Sequence, residues 1–277
     1  MQHIYVTIAD VRYDILIYIL GFLILSIIIW ALIYSPVALL IVSLIFIILT
    51  MREYRKMFVQ KQIYPHKFIP EIISFICTYC FIYNKHSFVM PVLVFGIFLS
   101  FFITVVTNKK PYLLTTFSTI TAFMLTFCTL YIIKIAYLLP ENNVEILLVY
   151  IFAVMAGDFS ASQIGPMYKI VRLAPDISPN KTVLGSIANL FFTCLISCLF
   201  IPLLKFKLWQ VLLFGICVSF AAQIGDLSIS AIKRDLNIRH SSTLFCSYGG
   251  ILDRVDAFIF SAPAAYYCAI FISELNY

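Results

Sequence analysis

Charge is what this sequence has least of. Asp, Glu, Lys and Arg make up 12% of its 277 residues, while 62% are apolar. A mean hydropathy of +1.01 excludes a soluble globular domain. The alternation of polar and apolar positions that marks a membrane-spanning barrel strand is missing from the apolar runs, which excludes a β-barrel reading. Neither a Walker-type Gly-rich loop nor a dinucleotide fingerprint occurs. The cysteines do not form a zinc pattern: Cys77 and Cys80 make a CxxC inside an apolar run, with no second pair at metal spacing. Cys128, Cys194, Cys198, Cys217 and Cys268 also fall in apolar runs, so we read them as small buried residues; only Cys246 falls in a loop. No small-residue cleavage site follows the first apolar run, which reads as a retained helix rather than a signal peptide.

What is present is a series of apolar runs of about 17 to 25 residues, the length that crosses about 30 Å of hydrocarbon. They predict an all-α, polytopic integral membrane protein with about nine spans, near 14–34, 36–51, 68–83, 88–106, 112–138, 144–158, 183–204, 208–225 and 257–273. The second, third and sixth are short. Cations collect in alternate loops: Arg12; Arg52, Arg55, Lys56, Lys61 and Lys67; Lys109 and Lys110; Lys169, Arg172 and Lys181; Lys233, Arg234, Arg239 and Arg254. The positive-inside rule makes these loops and the N-terminus cytoplasmic, with Lys85, Lys205 and Lys207 on the far side and Lys134 inside a span. The basic segment 52–67 would lie along an anionic leaflet, each cation contributing about 1 kcal/mol; topogenic charge alone is the simpler reading. Loop topology accounts for the net charge of +6, so no nucleic-acid polymer is implied as a partner.

Polar chemistry is concentrated in the second half. Residues 1–140 contain no motif and read as a transmembrane scaffold. Residues 141–277 read as a catalytic region with cytoplasmic loops at 158–182 and 226–256. Asp158, Asp176, Asp226, Asp235, Asp253 and Asp256 lie in or beside those loops, as do Gly157, Gly165, Gly185, Gly225, Gly249 and Gly250. In "YGGILDRVD" the carboxylates of Asp253 and Asp256 are three residues apart and share a face if the stretch is helical, with Gly249 and Gly250 turning the chain ahead of them. Two such carboxylates repel unless a cation lies between them, and Mg2+ takes one or two carboxylates together with phosphate oxygens and water. The competing reading is a solvated helix start favoured by the helix dipole. Lys233 and Arg234 could bind phosphate or simply snorkel at a helix end. Asp158 is a functional candidate because an ionisable group at a span end is costly any deeper. In "SPNKT", Pro179 holds Ser178 extended ahead of Lys181 and Thr182, which offer a cation and a hydroxyl, or else a topogenic charge and a helix N-cap.

Together these stretches resemble the phosphatidate cytidylyltransferase family. Its C-terminal pattern is matched in order and spacing by Gly225, Asp226, Leu227, Ser230, Lys233, Arg234, Ser242, Phe245, Gly249, Gly250, Asp253, Arg254 and Asp256. Its upstream elements look like Asp158, Ala161 and Gly165, and Ser178, Pro179, Lys181, Thr182 and Gly185. The resemblance covers about residues 150 to 262. It implies CTP and phosphatidic acid as substrates, CDP-diacylglycerol and pyrophosphate as products, Mg2+ as cofactor, membrane lipids as surroundings and a homodimer as a plausible assembly. The implied site has Asp253, Asp256, Lys233, Arg234 and Arg254 as catalytic residues. Ser178, Lys181, Thr182, Asp158, Arg239, His240, Gly249 and Gly250 would bind substrate, and Asp226, Asp253 and Asp256 would hold the metal. Departures stand at Arg239-His240 for Lys-Asp, Cys246-Ser247-Tyr248 for Pro-Gly-His, and Leu184 for Glu. The lost carboxylate lowers the charge offered to a hard cation, for which imidazole is the poorer ligand.

Three other readings stay open on the residues alone: an enzyme of the same chemistry acting on another membrane lipid, a non-catalytic paralogue that binds lipid or nucleotide, and a transporter. The transporter ranks last because only Lys134 lies well inside a span.

Overall fold

The structure, a computed structural model, describes residues 36–83, 85–137, 143–167, 171–204, 206–242 and 249–275. The span expected at 14–34 and the motif positions Phe245, Cys246, Ser247 and Tyr248 lie outside them. Helices α1 (Pro36–Val59), α2 (Ile69–Ile82), α3 (Val89–Val106), α4 (Tyr112–Tyr137) and α5 (Asn143–Met167) lead to a hairpin of β1 (Arg172–Ala174) and β2 (Ser178–Thr182). Helices α6 (Val183–Leu199), α7 (Ile201–Leu204), α8 (Leu208–Asp235) and α9 (Leu252–Glu274) follow. Five stretches are long and apolar enough to cross a membrane: Val89–Val106, Tyr112–Ala136, Val144–Met167, Leu208–Asp235 and Leu252–Glu274. Ile69–Phe81 and Val183–Leu199 are apolar but shorter. The chain is a helical integral membrane protein, with five such helices among the described residues where about nine spans were expected.

Several helices run past the ends that hydropathy assigned them. α5 continues nine residues beyond Asp158 to Met167, α8 continues through Asp226 to Asp235, and α9 begins at Leu252. The expected loops 158–182 and 226–256 therefore open as helix, to Met167 and Asp235, and the second also closes as helix from Leu252. An apolar run ends at the first charged residue, whereas backbone hydrogen bonding continues as long as the side chains permit a helix. The expected span 183–204 breaks at Phe200, and Pro202 falls in the first turn of α7, where a missing N–H breaks no intrahelical bond.

The hairpin departs from the all-α expectation. Pro175 and Pro179 bar a helix through "APDISPN", and the chain instead pairs Arg172 with Thr182 and Ala174 with Ser178 in an antiparallel register. β2 runs straight into α6, with Thr182 as its N-cap: its hydroxyl accepts the Gly185 N–H at 3.0 Å and donates to the Gly165 carbonyl at 3.2 Å.

α5 packs along α6, α6 along α8, and α8 along α9, which also meets α4. α8 and α9 approach so closely that a Cβ at Gly225 would overlap Phe260. Hydroxyls buried in the bundle bond to carbonyls one turn back, as Thr78 does to Ser74 and Thr104 to Ser100, leaving few polar atoms unpaired in an apolar setting.

Candidate active site

The site is built where α5, β2, α8 and α9 converge, and it begins with a glycine. Gly249 holds φ +88°, a backbone that side chains rarely adopt, and a Cβ there would overlap the Asp253 carboxylate. This turn delivers the chain into α9, whose first N–H groups have no partner within the helix, as at any helix start. Asp253 uses that turn: its Oδ2 accepts N–H bonds from Ser241 at 2.8 Å and Gly250 at 3.1 Å, and its Oδ1 accepts from Lys233 Nζ at 2.8 Å. The two charged side chains are 8% and 10% exposed, a buried pair. The His240 Nδ1 lies 3.9 Å from Asp253 Oδ2, and the ring is otherwise open to the surface.

One turn further along α9, Asp256 is 5% exposed. Its Oδ1 accepts the Ala257 N–H, and it forms no ion pair among the described residues. Asp226 and, more weakly, Asp158 bear on it electrostatically, with Lys233 opposing them. Asp226 sits on α8, where its Oδ2 pairs with Lys181 Nζ of β2 at 2.6 Å and its Oδ1 accepts the Ser230 hydroxyl at 3.4 Å. Asp158, on α5, accepts a hydrogen bond from Asn189 Nδ2 at 3.1 Å and feels Asp226 and Lys181.

The structure thus gathers Asp158, Asp226, Asp253 and Asp256 with Lys181 and Lys233, two ammonium groups against four carboxyl groups. It does not draw Asp253 and Asp256 into one ligand pair: both Asp253 oxygens are committed, one to Lys233 and one to backbone N–H groups. Among the described residues no three His, Cys, Asp or Glu are grouped to hold a metal. Asp256, buried with no cation paired to it among the described residues, is the carboxylate open to a metal; both oxygens of Asp226 are engaged, by Lys181 and the Ser230 hydroxyl, so Asp226 could join it in holding Mg2+ only by giving up Lys181.

Other expected residues are placed elsewhere. Arg234 donates from Nε to the Ile177 carbonyl at 2.8 Å and from Nη1 to the Ile238 carbonyl at 3.2 Å, tying the hairpin to the end of α8. Thr182 is spent as the α6 cap. Ser178 opens β2 opposite Ala174, and Arg239, Arg254 and Leu184 are exposed. Gly250 is buried against Glu53, where a Cβ would overlap the Glu53 carboxylate.

Two groups went unnoticed in the sequence. Asn189 and Gln223, beside Ser186, Thr193 and Ser219, form a polar network between α6 and α8 that ends on Asp158. Amides inside apolar runs are the signal for it, since polar groups at that depth are costly. Glu53 is the second, the one acid in the basic segment 52–67, and it is 3% exposed.

Comparison with known proteins assigns the chain to a family. The sequence profile of the cytidylyltransferase family matches residues 17–272. A phosphatidate cytidylyltransferase from Synechocystis is 36% identical over 138 residues, 48% of this chain and 47% of that protein. One from Aquifex aeolicus is 36% identical over 53% of each chain, and one from Bacillus subtilis is 32% identical over 54% of this chain and 56% of its own. The chain spans about half the length of these curated relatives. With the family profile running over nearly its whole length, through every helix that carries the site, the chain belongs to the cytidylyltransferase family.

Proposed function

We propose that the protein transfers CMP from CTP to phosphatidic acid, forming CDP-diacylglycerol and pyrophosphate, with the reaction on the cytoplasmic side of a bacterial inner membrane. The observation that carries the reading is the set of buried Asp256 and Lys233 with half-exposed Asp226 and Lys181 at one end of apolar helices, where a lipid phosphate and a water-soluble nucleotide can meet. In such a transfer a lipid phosphate oxygen attacks the α-phosphorus of CTP in line and pyrophosphate leaves, so catalysis is mainly positioning and charge neutralisation.

Lys181 and Lys233 are each fixed by one carboxylate, and each ammonium retains further N–H donors for phosphate oxygens. Asp253 orients Lys233, and Gly249 gives Asp253 room to do so. Mg2+, held by Asp256, and by Asp226 where it gives up Lys181, would neutralise charge on the nucleotide and lipid phosphates. Arg234 keeps the hairpin, and with it Lys181, against α8. Arg254, exposed beside the site, would meet phosphate at the surface.

The test is the purified protein in detergent with dioleoyl phosphatidate and Mg2+, following labelled CTP into the lipid phase with Asp256→Asn as control. Incorporation that the control loses supports the reading. CTP binding without incorporation, on phosphatidate or on a panel of other lipid acceptors, points instead to a binding paralogue.

A further inference from the structure

The carboxylate of Glu53, on α1, lies in the loop that builds the site at the other end of the chain. Its Oε1 accepts the Ile251 N–H at 3.0 Å and the Ser242 hydroxyl at 2.8 Å; its Oε2 accepts the Leu252 N–H at 2.8 Å and the Ser241 hydroxyl at 3.2 Å. Among the described residues no cation pairs with it. All its acceptor strength therefore goes to one short segment.

That segment needs it. The N-cap of α9 is Ile251, which has no polar side chain to cap the helix, so two of the N–H groups that a helix start leaves unpaired turn to Glu53. Gly250 is tailored to the contact, because a Cβ would overlap both the Glu53 carboxylate and the Ser241 hydroxyl. The segment matters to the site on both sides of the contact. Ser241 and Gly250 also give their N–H groups to Asp253, and the turn of α9 that Glu53 caps carries Asp253 and Asp256.

We infer that Glu53 is a positioning residue: it clamps residues 241–242 and 250–252 in the arrangement that aims Asp253 at Lys233 and sets Asp256 beside Asp226. The clamp makes α1, in the half of the chain without motifs, part of the transfer site. Its catalytic consequence rests on the transfer reading given above; its structural consequence does not.

Hydrogen exchange by mass spectrometry on the full-length protein in detergent, combined with turnover, tests it. Glu53→Ala should raise exchange at amides 241–242 and 250–252 at least tenfold, leave α4 and α5 as they were, and lower kcat at least tenfold. Glu53→Gln, which keeps one acceptor oxygen, should fall between Glu53→Ala and wild type on both readouts. Gly250→Ala should loosen the same amides, and adding it to Glu53→Ala should change them by less than it does alone, because one of its two collisions is gone and only that with the Ser241 hydroxyl remains. Wild-type exchange at 250–252 in Glu53→Ala would overturn the clamp, as would wild-type turnover from a loosened segment. Exchange raised throughout the bundle in all three variants would also overturn it, showing a general folding role. If the wild-type protein transfers CMP to no lipid, the transfer reading fails, and exchange, which needs no turnover, still decides the clamp.

Discussion

Replacing Asp253 by Asn separates two roles that sequence spacing alone could not. The pair with Lys233 is 2.8 Å long and both side chains are nearly enclosed. Removing one partner of such a pair costs about 3 to 5 kcal/mol, because it strands the other charge. Asn keeps one carbonyl oxygen for the Ser241 and Gly250 N–H groups, but then turns its NH2 toward the Lys233 ammonium, donor against donor. At about 1.4 kcal/mol per factor of ten, the loss is two to four powers of ten in the population that holds Lys233 in place. The double variant Asp253→Asn with Lys233→Met should therefore be more stable than Asp253→Asn alone, since no buried ammonium is left without its partner. Urea or thermal unfolding in detergent measures this. Turnover completes the test: an Asp253 that anchors Lys233 gives a kcat deficit that excess Mg2+ does not repair. An Asp253 that ligates metal gives a deficit that rising Mg2+ removes, and rescue of that kind, or a double variant as unstable as the sum of the singles, would refute the reasoning.

Three further outcomes follow from the geometry. Gly249→Ala should lower turnover at least tenfold, because its Cβ enters the space of the Asp253 carboxylate and its φ of +88° is unfavourable for alanine; steady-state kinetics read this. Thr182→Ala should destabilise the protein by about 1 kcal/mol, as loss of an N-cap does, with KM for CTP little changed, since the hydroxyl is spent on Gly185 and Gly165. His66, in the segment joining α1 to α2, is buried against Thr104, and burial, with Lys109 nearby, holds its pKa below the usual 6.5. The unfolded chain therefore binds the proton more readily, so stability is full above about pH 6.5 and falls as the pH drops below it. The melting temperature in detergent should decline from pH 7.5 to 5.5, and less steeply in His66→Gln.

The sequence carried the membrane character and much of the site because both are written in one-dimensional signals. Apolar runs mark the helices, and Asp226, Lys233 and Asp253 stand at spacings that helices α8 and α9 preserve. Roles were harder to read than positions. Asp253 and Asp256 are three apart on one helix, yet one faces Lys233 and a turn of backbone N–H groups while the other faces Asp226 and Asp158; spacing gives the shared helix but not the partners on its neighbours. Thr182 was read as a phosphate hydroxyl or a helix N-cap and caps α6, while Arg234, read as a phosphate or snorkelling cation, holds a hairpin carbonyl; these contacts depend on how β2 meets α6 and α8. Glu53 was hidden for the opposite reason. Its partners are Ser241, Ser242 and two backbone amides 188 to 199 residues away, and nothing local to "REYRK" distinguishes a buried acceptor from a solvated one. Asn189 and Gln223 were legible in principle, since amides within an apolar run need partners as charges do.

The most direct measurement is the stoichiometry of the transfer itself: CTP labelled at the α-phosphorus, dioleoyl phosphatidate and Mg2+, with label in the lipid and pyrophosphate released both counted for wild type and Asp256→Asn. The account predicts one labelled CMP in lipid for each pyrophosphate, and neither from the variant. Pyrophosphate without lipid label, or an Asp256→Asn protein as active as wild type, would contradict it.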